Sequence, residues 1–545
     1  MPIQIACDKI TLMSKIAKYL NGHILGEVSA RGNRLKQFSQ DKSVLSITPN
    51  IVVFPRSTDD IRKIMRFSWQ LAEKGHIFGV TARGFGGSTD GSSLGEGVIL
   101  DISRHLDSIY ELDLKNKMIR VAAGVNFKEL NLALGSQALT ILQSPAGERL
   151  TVGGAVAQNL PSEKYNYGEL SDAVDKMEIV LSNGETLQTG RISKRELNRK
   201  KGLQTFEGDI YRKIDGLIED SSDIILTKIQ EDASYGYSGI SKVRRADGSF
   251  DLTPLFFGAE GTLGVITELV LRAEFIVDET DFMVVSFQDR DDARDFIDKI
   301  SKYKLNIIEM YDGKLFESAV AAGKKYDFYI DRLEQKLKTK MVLVLGVTDK
   351  TARKRLSVAK KIAKASERFT GSTVWAPDES FEGGIEIDAI RDVREVLRSR
   401  GGINKEEISP LQGIYVPLER FEEFYLQLQK IALKYNIPAP LQGSALTSVF
   451  EIMAEFDFTK VSDRQKTMRF IEDIARLLDS IGGEFAYGAG EGRLFGQYTK
   501  NNIDKDTIGL FKKIKDIFDP NGILNPGVKA ENGSKELLKI IKNGR

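Results

Sequence analysis

The first part of the chain places short apolar runs around one clearly amphipathic segment. The run IVVFP predicts a strand, and PRSTDDIRKIMRFSWQLAEKG predicts a helix that Ser57 can cap, with Asp60 at the third helical position. The inner face of this helix is predicted to consist of Ile61, Ile64, Met65, Ser68, Leu71 and Ala72. HIFGVT predicts a second strand and GVILDIS a third, so the region begins as a β-α-β unit followed by another strand.

Further along, the apolar positions indicate more strands and longer helices. SIYELDLKNKMIRVAAGV predicts two strands, NFKELNLALG a short helix, and MEIVLSNGETLQTG a hairpin that turns at Asn183 and Gly184. From DFMVVSF onward, strands alternate with amphipathic helices such as TARKRLSVAKKIAKAS. The pattern predicts an α+β chain with four parts. These are a helical lead-in (1–45), a first domain (46–275), a second, ferredoxin-like α/β domain (276–490) and a C-terminal segment (491–545).

Composition narrows the class of protein. The 545 residues carry a net charge of +1, so no overall field favours nucleic acid or an anionic membrane. Cys7 is the single cysteine, which excludes an internal disulfide and a cysteine-ligated zinc or iron–sulfur site. The N-terminus lacks the pattern of a secretory signal, and no apolar run approaches the roughly 20 residues of a membrane span. We expect a cytoplasmic protein with at most peripheral membrane contact.

Histidine is scarce. The three histidines are His23, His76 and His105. No residue after position 105 can therefore supply an imidazole side chain to catalysis or metal binding. A histidine-based catalytic triad or a histidine-rich metal centre in the later domains is therefore excluded.

The stretch VTARGFGGSTDGSS, residues 80–93, is poor in large side chains and rich in backbone donors. It contains four glycines, five hydroxyl side chains, one arginine and no lysine. A dinucleotide-binding Rossmann loop opens a helix, whereas this loop precedes the predicted strand GVILDIS, and its spacing is G-x-G-x-x-T. A P-loop requires a lysine. Both common phosphate-loop interpretations are rejected.

Five glycine-rich segments follow one another along the chain. They are ARGFGGST (82–89), LTVGGAVAQN (150–159), NYGELSDAV (166–174), FFGAEGTLGVITE (256–268) and FDPNGILNPG (518–527). Together and in this order they resemble the FAD-linked oxidase family of the vanillyl-alcohol oxidase and p-cresol methylhydroxylase type. Within it, they are most similar to the branch of the D-lactate dehydrogenases and the glycolate oxidase D subunit. The resemblance is close over residues 46–275 and at the C-terminus, and loose in the second domain.

The resemblance implies FAD as cofactor and a fold in which a two-subdomain FAD-binding domain of the p-cresol methylhydroxylase (PCMH) type is joined to a ferredoxin-like substrate, or cap, domain. In this fold the FAD pyrophosphate lies against consecutive backbone N–H groups of a non-helical loop, where glycine permits close approach. The residues implied to contact FAD are Arg83, Gly84, Phe85, Gly86, Gly87, Ser88, Thr89, Ser144, Pro145, Thr151, Gly153, Gly154, Ala157, Asn159, Gly261, Gly264, Ile266 and Asn525.

Some relatives attach FAD covalently through a histidine near the first loop. The segment RGFGGST contains neither histidine nor cysteine, so we expect FAD to be bound non-covalently.

The chain departs from the pattern that the resemblance implies at two motifs of metal-dependent 2-hydroxy-acid dehydrogenases. Those enzymes carry G-H-x-G-D-G-N-x-H and E-H-G-x-G, whose histidines bind a divalent metal or the substrate. Here LQGSALTSVF puts Gln442 and Phe450 at the histidine positions, and AYGAG puts Ala486 and Tyr487 at the Glu-His pair. We therefore expect no metal.

The remaining polar residues near these motifs suggest catalytic roles. Tyr487 is predicted to orient or deprotonate a substrate hydroxyl, and Arg394 or Arg493 to hold an anionic group. Glu491 and Gln412 are weaker candidates.

The resemblance implies an oxidoreductase in which a substrate C–H bond delivers a hydride to flavin N5. The default substrate is a 2-hydroxy acid such as D-lactate or glycolate, and a sugar, a polyol or another alcohol is the alternative. A transferase role of the alkyl-dihydroxyacetone-phosphate synthase type, or a flavin-binding subunit without its own catalysis, are further alternatives. Dioxygen, a quinone, an electron-transfer protein and a partner iron–sulfur subunit all remain open as electron acceptor.

Overall fold

The structure is a computed structural model that describes residues 2–542 except 146, 148, 230–234, 277–278, 377–382, 394–395, 397–405, 502 and 531. The strands are β1 (Glu27–Ser29), β2 (Ile51–Phe54), β3 (Val80–Arg83), β4 (Val98–Asp101), β5 (Ile109–Asp113), β6 (Met118–Ala122), β7 (Leu139–Thr140), β8 (Val174–Val180), β9 (Thr186–Gln188), β10 (Val265–Arg272), β11 (Glu274–Phe275), β12 (Glu279–Phe287), β13 (Ile307–Asp312), β14 (Met341–Asp349), β15 (Thr373–Trp375), β16 (Glu406–Tyr415), β17 (Leu441–Ser444) and β18 (Val449–Asp457).

Helices connect most of these strands. They are α1 (Pro2–Asn21), α2 (Gly32–Gln37), α3 (Thr58–Glu73), α4 (Phe127–Gly135), α5 (Val152–Gln158), α6 (Leu170–Ala173), α7 (Lys194–Lys201), α8 (Phe206–Asp220), α9 (Ser222–Lys228), α10 (Arg290–Ile300), α11 (Gly313–Ala321), α12 (Asp327–Glu334), α13 (Ala352–Ser366), α14 (Gly383–Arg391), α15 (Phe421–Tyr435), α16 (Val461–Ile481), α17 (Gly496–Asn501), α18 (Lys505–Phe518) and α19 (Ser534–Ile540). The mixture of helix and sheet confirms the predicted α+β class.

The chain divides into two compact units. Unit 1 comprises Met1–Ser162, Gly168–Phe275 and Ala486–Lys542, and unit 2 includes Glu163–Tyr167 and Ile276–Phe485. Unit 1 contains a four-stranded sheet of order β1-β2-β4-β3, a five-stranded sheet of order β5-β6-β10-β8-β9 and the pair β11-β7. In the first sheet β2 and β3 both run parallel to β4.

Helix α3 shows how the sequence pattern produces the core of unit 1. The Ser57 side chain accepts a hydrogen bond from the Asp60 N–H at 3.3 Å, which confirms the predicted cap. The inner residues Ile61, Ile64 and Met65 are buried in one cluster with apolar residues of β2 and β4. The Asp60 carboxylate also accepts from the N–H groups of Leu25 and Gly26 at 2.8 and 2.9 Å. The residues before position 46 are thereby joined to the sheet, to which they add β1.

Unit 2 is built on one antiparallel sheet of order β15-β12-β14-β13-β17-β18-β16. Helices α10 and α13 contact β12 and β14, and α16 contacts β18. A separate buried cluster joins Ile387 and Ile390, from α14, to Val344 on β14 and Met453 on β18. The polar residues of unit 2 described below lie on the sheet face that carries Met453.

No helix in the described part of the chain is long and apolar enough to cross a membrane.

Candidate functional site

The glycine-rich loop of residues 84–97 connects two parallel strands without opening a helix. Strand β3 pairs with β4 from Val80↔Val98 to Arg83↔Asp101, and the loop runs from the end of β3 to the start of β4. This confirms the prediction that separated the loop from Rossmann and P-loop sites. Gly86 has φ +70°, and a Cβ on it would collide with the guanidinium of Arg83. Only glycine adopts this conformation at so crowded a position without strain.

The loop packs directly against the start of helix α5. A Cβ on Gly84 would lie 2.6 Å from Thr151 Oγ1, and Thr151 caps α5 by accepting from the Gly154 N–H at 3.1 Å. On the other side, a Cβ on Gly153 would lie 2.8 Å from the Cβ of Ala123. The glycines of both segments are therefore required for close backbone packing, as the sequence predicted for the two walls of one site.

The turn that follows Phe257 is hydrogen-bonded to the last residues of α5. The N–H groups of Gly258 and Glu260 donate to the carbonyls of Val156 and Ala157 at 3.1 and 2.8 Å. Asn159 caps the C-terminus of helix α5 and has φ +51°. Gly261 has φ +71°, and the nearest described atom to a Cβ on it would be Asn525 Nδ2 at 3.9 Å.

Asn525 brings the C-terminal segment to this turn and to the loop. Its Nδ2 donates to the carbonyls of Glu260 at 2.7 Å and Ser92 at 2.9 Å, and its Oδ1 accepts from Thr81 Oγ1 at 2.9 Å. Its backbone N–H donates to the carbonyl of Val80 at 2.8 Å. One buried side chain thus connects β3, the loop and the turn, in agreement with the predicted return of the C-terminus.

A buried polar network lines the loop. Gln158 Nε2 donates to Asp90 Oδ2 at 3.2 Å and to Ser92 Oγ at 3.3 Å. The hydroxyl of Ser88 bonds to Asp90 and lies 2.8 Å from the Ser92 hydroxyl. These bonds fix the conformation of the loop after Gly87.

Three buried charged residues lie next to this network, and sequence reasoning missed their association. Lys529 Nζ lies 3.3 Å from Glu260 Oε1 and 3.2 Å from Glu491 Oε1. The Glu260 carboxylate also accepts from the N–H groups of Glu491 and Gly492 at 2.9 and 2.8 Å. No local pattern marks the pair, because Glu260 and Lys529 are far apart in the sequence.

Burial controls the protonation of these groups. Desolvation raises the pKa of Glu260 to about 8, so its carboxyl is largely protonated at neutral pH. Burial also opposes the charge of Lys529, but the facing carboxylates of Glu491 and Glu260 raise its pKa on balance. Lys529 therefore lies between two buried carboxyl groups, and burial holds one of them, that of Glu260, toward its protonated form.

Arg493 connects the loop to the C-terminal segment. Its guanidinium donates through Nε and Nη2 to the Leu94 carbonyl at 3.1 and 2.7 Å, and its N–H donates to the Asp90 carbonyl at 2.9 Å. Desolvation lowers its pKa to about 10, and the side chain is 8% exposed. These contacts give Arg493 a positioning role, while its predicted contact with a substrate anion stays a prediction.

Other predicted FAD contacts have packing roles of their own. Arg83 donates to the Gln40 carbonyl at 2.8 Å, and Ser144 Oγ accepts from Asn131 Nδ2 at 2.6 Å. Phe85 lies beneath the guanidinium of Arg149, and a Cβ on Gly264 would collide with the Ile179 side chain. Thr89 and Pro145 are buried, and Ile266 pairs with Ile179 in the sheet. Whether these residues also contact FAD stays a prediction.

The structure describes one of the two remaining predicted catalytic residues, Tyr487, and not the other, Arg394. Tyr487 is half-buried in unit 1, in a turn between Ala486 at φ +62° and Gly488 at φ +60°. Arg394 lies outside the described residues. Arg391, three positions earlier, is described, and its guanidinium donates to both carboxylate oxygens of Glu309 at 2.7 to 3.1 Å. It also lies 2.6 Å from Glu163 Oε1, within unit 2.

The first motif without histidines forms part of the unit 2 sheet. Gln442 on β17 pairs with Glu451 on β18 and Tyr311 on β13. Glu451 accepts from Gln442 Nε2 at 3.0 Å and from Gln412 Nε2 at 3.1 Å. Phe450, one position earlier, contacts the ring of Phe421 in a tilted arrangement, with 4.9 Å between the ring centroids. Since successive strand residues point to opposite faces, Glu451 rather than Phe450 shares the face of Gln442.

The described residues contain no group of three or more histidine, cysteine, aspartate or glutamate side chains that could hold a metal ion.

The segments that converge in unit 1 fit FAD. A Cβ built on Gly87 or Gly261 would find its nearest described atom only at 3.9 Å, so the backbone there is open to a ligand. Consecutive main-chain N–H groups of the glycine-rich loop are the kind of donor set that a pyrophosphate requires.

Comparison with known proteins agrees with this assignment. One family model, described as FAD binding domain, matches residues 49–190, and another, described as FAD linked oxidases, C-terminal domain, matches residues 278–528. D-2-hydroxyglutarate dehydrogenase of Pantoea ananatis (strain AJ13355) is 24% identical over 508 residues, which cover 90% of this chain and 48% of that protein. The chain spans about half the length of the D-2-hydroxyglutarate dehydrogenases that it matches.

Two further similarities cover most of both chains. Glycolate oxidase subunit GlcD of Bacillus subtilis (strain 168) is 22% identical over 488 residues, which cover 88% of each chain. The structure of 4-ethylphenol oxidase from Gulosibacter chungangensis has a TM-score of 0.68 and 16% identity, and the match covers 96% of this chain and 97% of that chain. The latter similarity shows the fold alone. The chain belongs to the FAD-linked oxidase family, its fold is that of the PCMH-type FAD oxidases, and its cofactor is FAD.

Proposed function

We propose that this protein is an FAD-dependent dehydrogenase or oxidase that oxidises a CH–OH donor without a metal, and that the donor is a 2-hydroxy acid. The observation that carries the proposal is the set of hydrogen bonds by which Asn525 joins β3, the glycine loop and the turn at Glu260. Relatives named D-2-hydroxyglutarate dehydrogenase, glycolate oxidase subunit GlcD and D-lactate dehydrogenase support the substrate class.

FAD and the protein chain have different roles in the proposed reaction. When bound, FAD supplies the acceptor for a hydride from the substrate C–H bond. The chain holds the glycine loop in a fixed conformation through Asn525, Arg493 and the network around Asp90. A rigid backbone site binds its cofactor without an ordering cost at each encounter.

We propose that Tyr487 orients the substrate hydroxyl or accepts its proton. Tyr487 is half-buried in the turn between Ala486 and Gly488, and a phenol can orient a hydroxyl or accept its proton. Arg394 is our proposal for the group that binds the substrate carboxylate, since a guanidinium matches the two carboxylate oxygens.

A sugar or polyol is the second candidate substrate. The observation that favours it is Gln442, a buried neutral amide at a position where the metal-dependent relatives carry a histidine. An amide recognises hydroxyl groups and carries no charge to attract a carboxylate.

The test is purification of the protein with its bound flavin, followed by anaerobic addition of a substrate panel. D-lactate, glycolate, D-2-hydroxyglutarate, glycerol and glucose would be added in turn while the flavin absorbance is recorded. Bleaching by a hydroxy acid supports the proposal, and bleaching by glycerol or glucose alone selects the second candidate. A flavin that none of these compounds bleaches would indicate a binding subunit without its own catalysis. Readmission of air then separates an oxidase, which reoxidises at once, from a dehydrogenase.

A further inference from the structure

Several described residues of unit 2 have a buried side-chain nitrogen or oxygen without a hydrogen-bond partner, and among them Gln442 is the one whose unpartnered atom is an oxygen, an acceptor. Gln442 is 6% exposed, and its Nε2 donates to Glu451 Oε2 at 3.0 Å. Its Oε1 is buried and has no hydrogen-bond partner among the residues that the structure describes. Buried polar atoms in native proteins nearly always have a partner, so this oxygen requires a donor from a ligand or an ordered water.

The orientation of this amide is determined by its neighbour. Exchanging the nitrogen and the oxygen of Gln442 would place the amide oxygen against the Glu451 carboxylate, which itself carries acceptors only when ionised. Gln412 reaches the other oxygen of Glu451 with its own Nε2 at 3.1 Å. The carboxylate therefore receives an amide N–H on each oxygen, and the Gln442 oxygen is directed away from it.

The polar side chains across the strand use their donors elsewhere. Tyr311 pairs with Gln442 in the β13–β17 register, and its hydroxyl donates to Glu309 Oε2 at 2.8 Å. Glu309 is held in turn by Arg391 through both carboxylate oxygens. A hydroxyl has a single proton to donate, so Tyr311 does not supply the donor that Gln442 requires.

We propose that the Gln442 side-chain oxygen accepts a hydrogen bond from a hydroxyl group of the substrate, which makes Gln442 a specificity residue for hydroxylated ligands. This inference rests on the proposed function, because it takes the substrate to be a CH–OH donor. The buried oxygen favours a ligand with a hydroxyl group over its deoxy analogue, which has no proton to donate at that place. It disfavours a ligand carboxylate there, because two acceptors would face each other.

The experiment compares each hydroxylated probe with its deoxy analogue. D-lactate with propionate, glycolate with acetate, and D-2-hydroxyglutarate with glutarate are titrated anaerobically into holoenzyme whose flavin has first been reduced with dithionite, so that no oxidation follows binding. Dissociation constants come from the change in the flavin spectrum and from the ligand-dependent rise in melting temperature. The wild type is expected to bind at least one hydroxy acid about tenfold more tightly than its deoxy analogue.

The variants are Gln442→Met, which keeps the shape without the oxygen, and Gln442→Asn, which keeps the amide on a shorter side chain. Both are expected to lose the hydroxyl preference, with the flavin content unchanged. The matched control is Gln429→Met on α15. The Gln429 amide oxygen accepts from Lys314 Nζ at 2.7 Å and its Nε2 is buried without a partner among the described residues, and this substitution is expected to leave the preference intact. If Gln442→Met does not fold, Gln442→Asn decides the test.

The outcomes separate this inference from the proposed function. A wild type without a hydroxyl preference in any pair, or variants that keep the preference, would overturn the role of Gln442. A preference that disappears in the variants while no probe bleaches the wild-type flavin would support Gln442 as a binding residue and overturn the proposed oxidation. Bleaching with an unchanged preference in Gln442→Met would overturn only the inference.

Discussion

The side-chain amide of Asn525 donates to the main-chain oxygen of Glu260 at 2.7 Å, across 265 positions of sequence. The same amide nitrogen reaches Ser92, and the amide oxygen accepts from Thr81. The glycine-rich loop is therefore held in place by a residue from the far end of the chain. The contact shows that glycine-rich segments far apart in the sequence lie together at one site.

Replacement of Asn525 by alanine should release the loop. Three side-chain hydrogen bonds are lost, each worth about 1 kcal/mol net, so we expect the free energy of unfolding to fall by about 2 to 4 kcal/mol and FAD to be lost on dilution. Urea unfolding and the flavin-to-protein absorbance ratio measure both effects.

The matched control for this change is Asn436→Ala. Asn436 has φ +52°, close to the +45° of Asn525, but it is an exposed residue at the end of α15. It reports the strain of alanine in a left-handed conformation without the loss of the three bonds. Equal effects of the two substitutions on FAD retention would show that Asn525 does not organise the site.

Stability should depend on pH through Glu260. Its folded-state pKa of about 8 lies above the usual 4.5, so the folded protein binds the extra proton between these values. The stabilising effect of that proton is complete below pH 4.5 and is lost as the pH rises through 8, by about 1.4 kcal/mol per pH unit. Glu260→Gln resembles the protonated form and should remove this contribution.

The measurement is the difference in unfolding free energy between the wild type and Glu260→Gln at pH 5, 6, 7 and 8. The difference cancels the contribution of Asp41, whose pKa burial raises to about 6. A difference that does not change across this range would mean that Glu260 is ionised beside Lys529 throughout.

Substitution of Tyr487 by phenylalanine tests its role in proton transfer. Loss of a positioned acid or base group lowers the rate of flavin reduction by about a hundredfold or more. Stopped-flow absorbance with the best substrate measures the rate, and Tyr110→Phe, an exposed tyrosine of unit 1, is the control. An unchanged rate would leave Tyr487 as a packing residue.

Flavin attachment is tested by acid precipitation. The loop RGFGGST contains no histidine or cysteine that could form a bond to the flavin, so all of the yellow colour should remain in the supernatant. Flavin that stays in the washed pellet after denaturation would contradict non-covalent binding.

Local signals in the sequence were sufficient for much of the fold. The cap at Ser57, the apolar face of α3 and the strands around the glycine loop are set by residues close together in the chain, and the structure contains all of them. Strand β1 was missed, because the three residues Glu27–Ser29 are too few to show an alternating pattern and depend on pairing with β2.

The parts of the site that could not be predicted depend on distant pairings. No sequence pattern near Glu260 predicts its contact with Lys529, since that contact requires the C-terminal segment to fold back onto the turn at Glu260. The contact between Gln442 and Glu451 also depends on strand register. A shift of one residue moves a side chain to the opposite face, and the structure places Glu451 beside Gln442.

The most direct test of metal-free, flavin-dependent oxidation is anaerobic titration of chelator-treated holoenzyme with D-lactate, glycolate and D-2-hydroxyglutarate. The protein would first be dialysed against EDTA, and its zinc and manganese content would be measured. We predict that at least one hydroxy acid bleaches the flavin absorbance stoichiometrically in the metal-depleted protein. Bleaching that requires restored zinc or manganese, or an oxidised flavin spectrum that no hydroxy acid changes, would contradict the account.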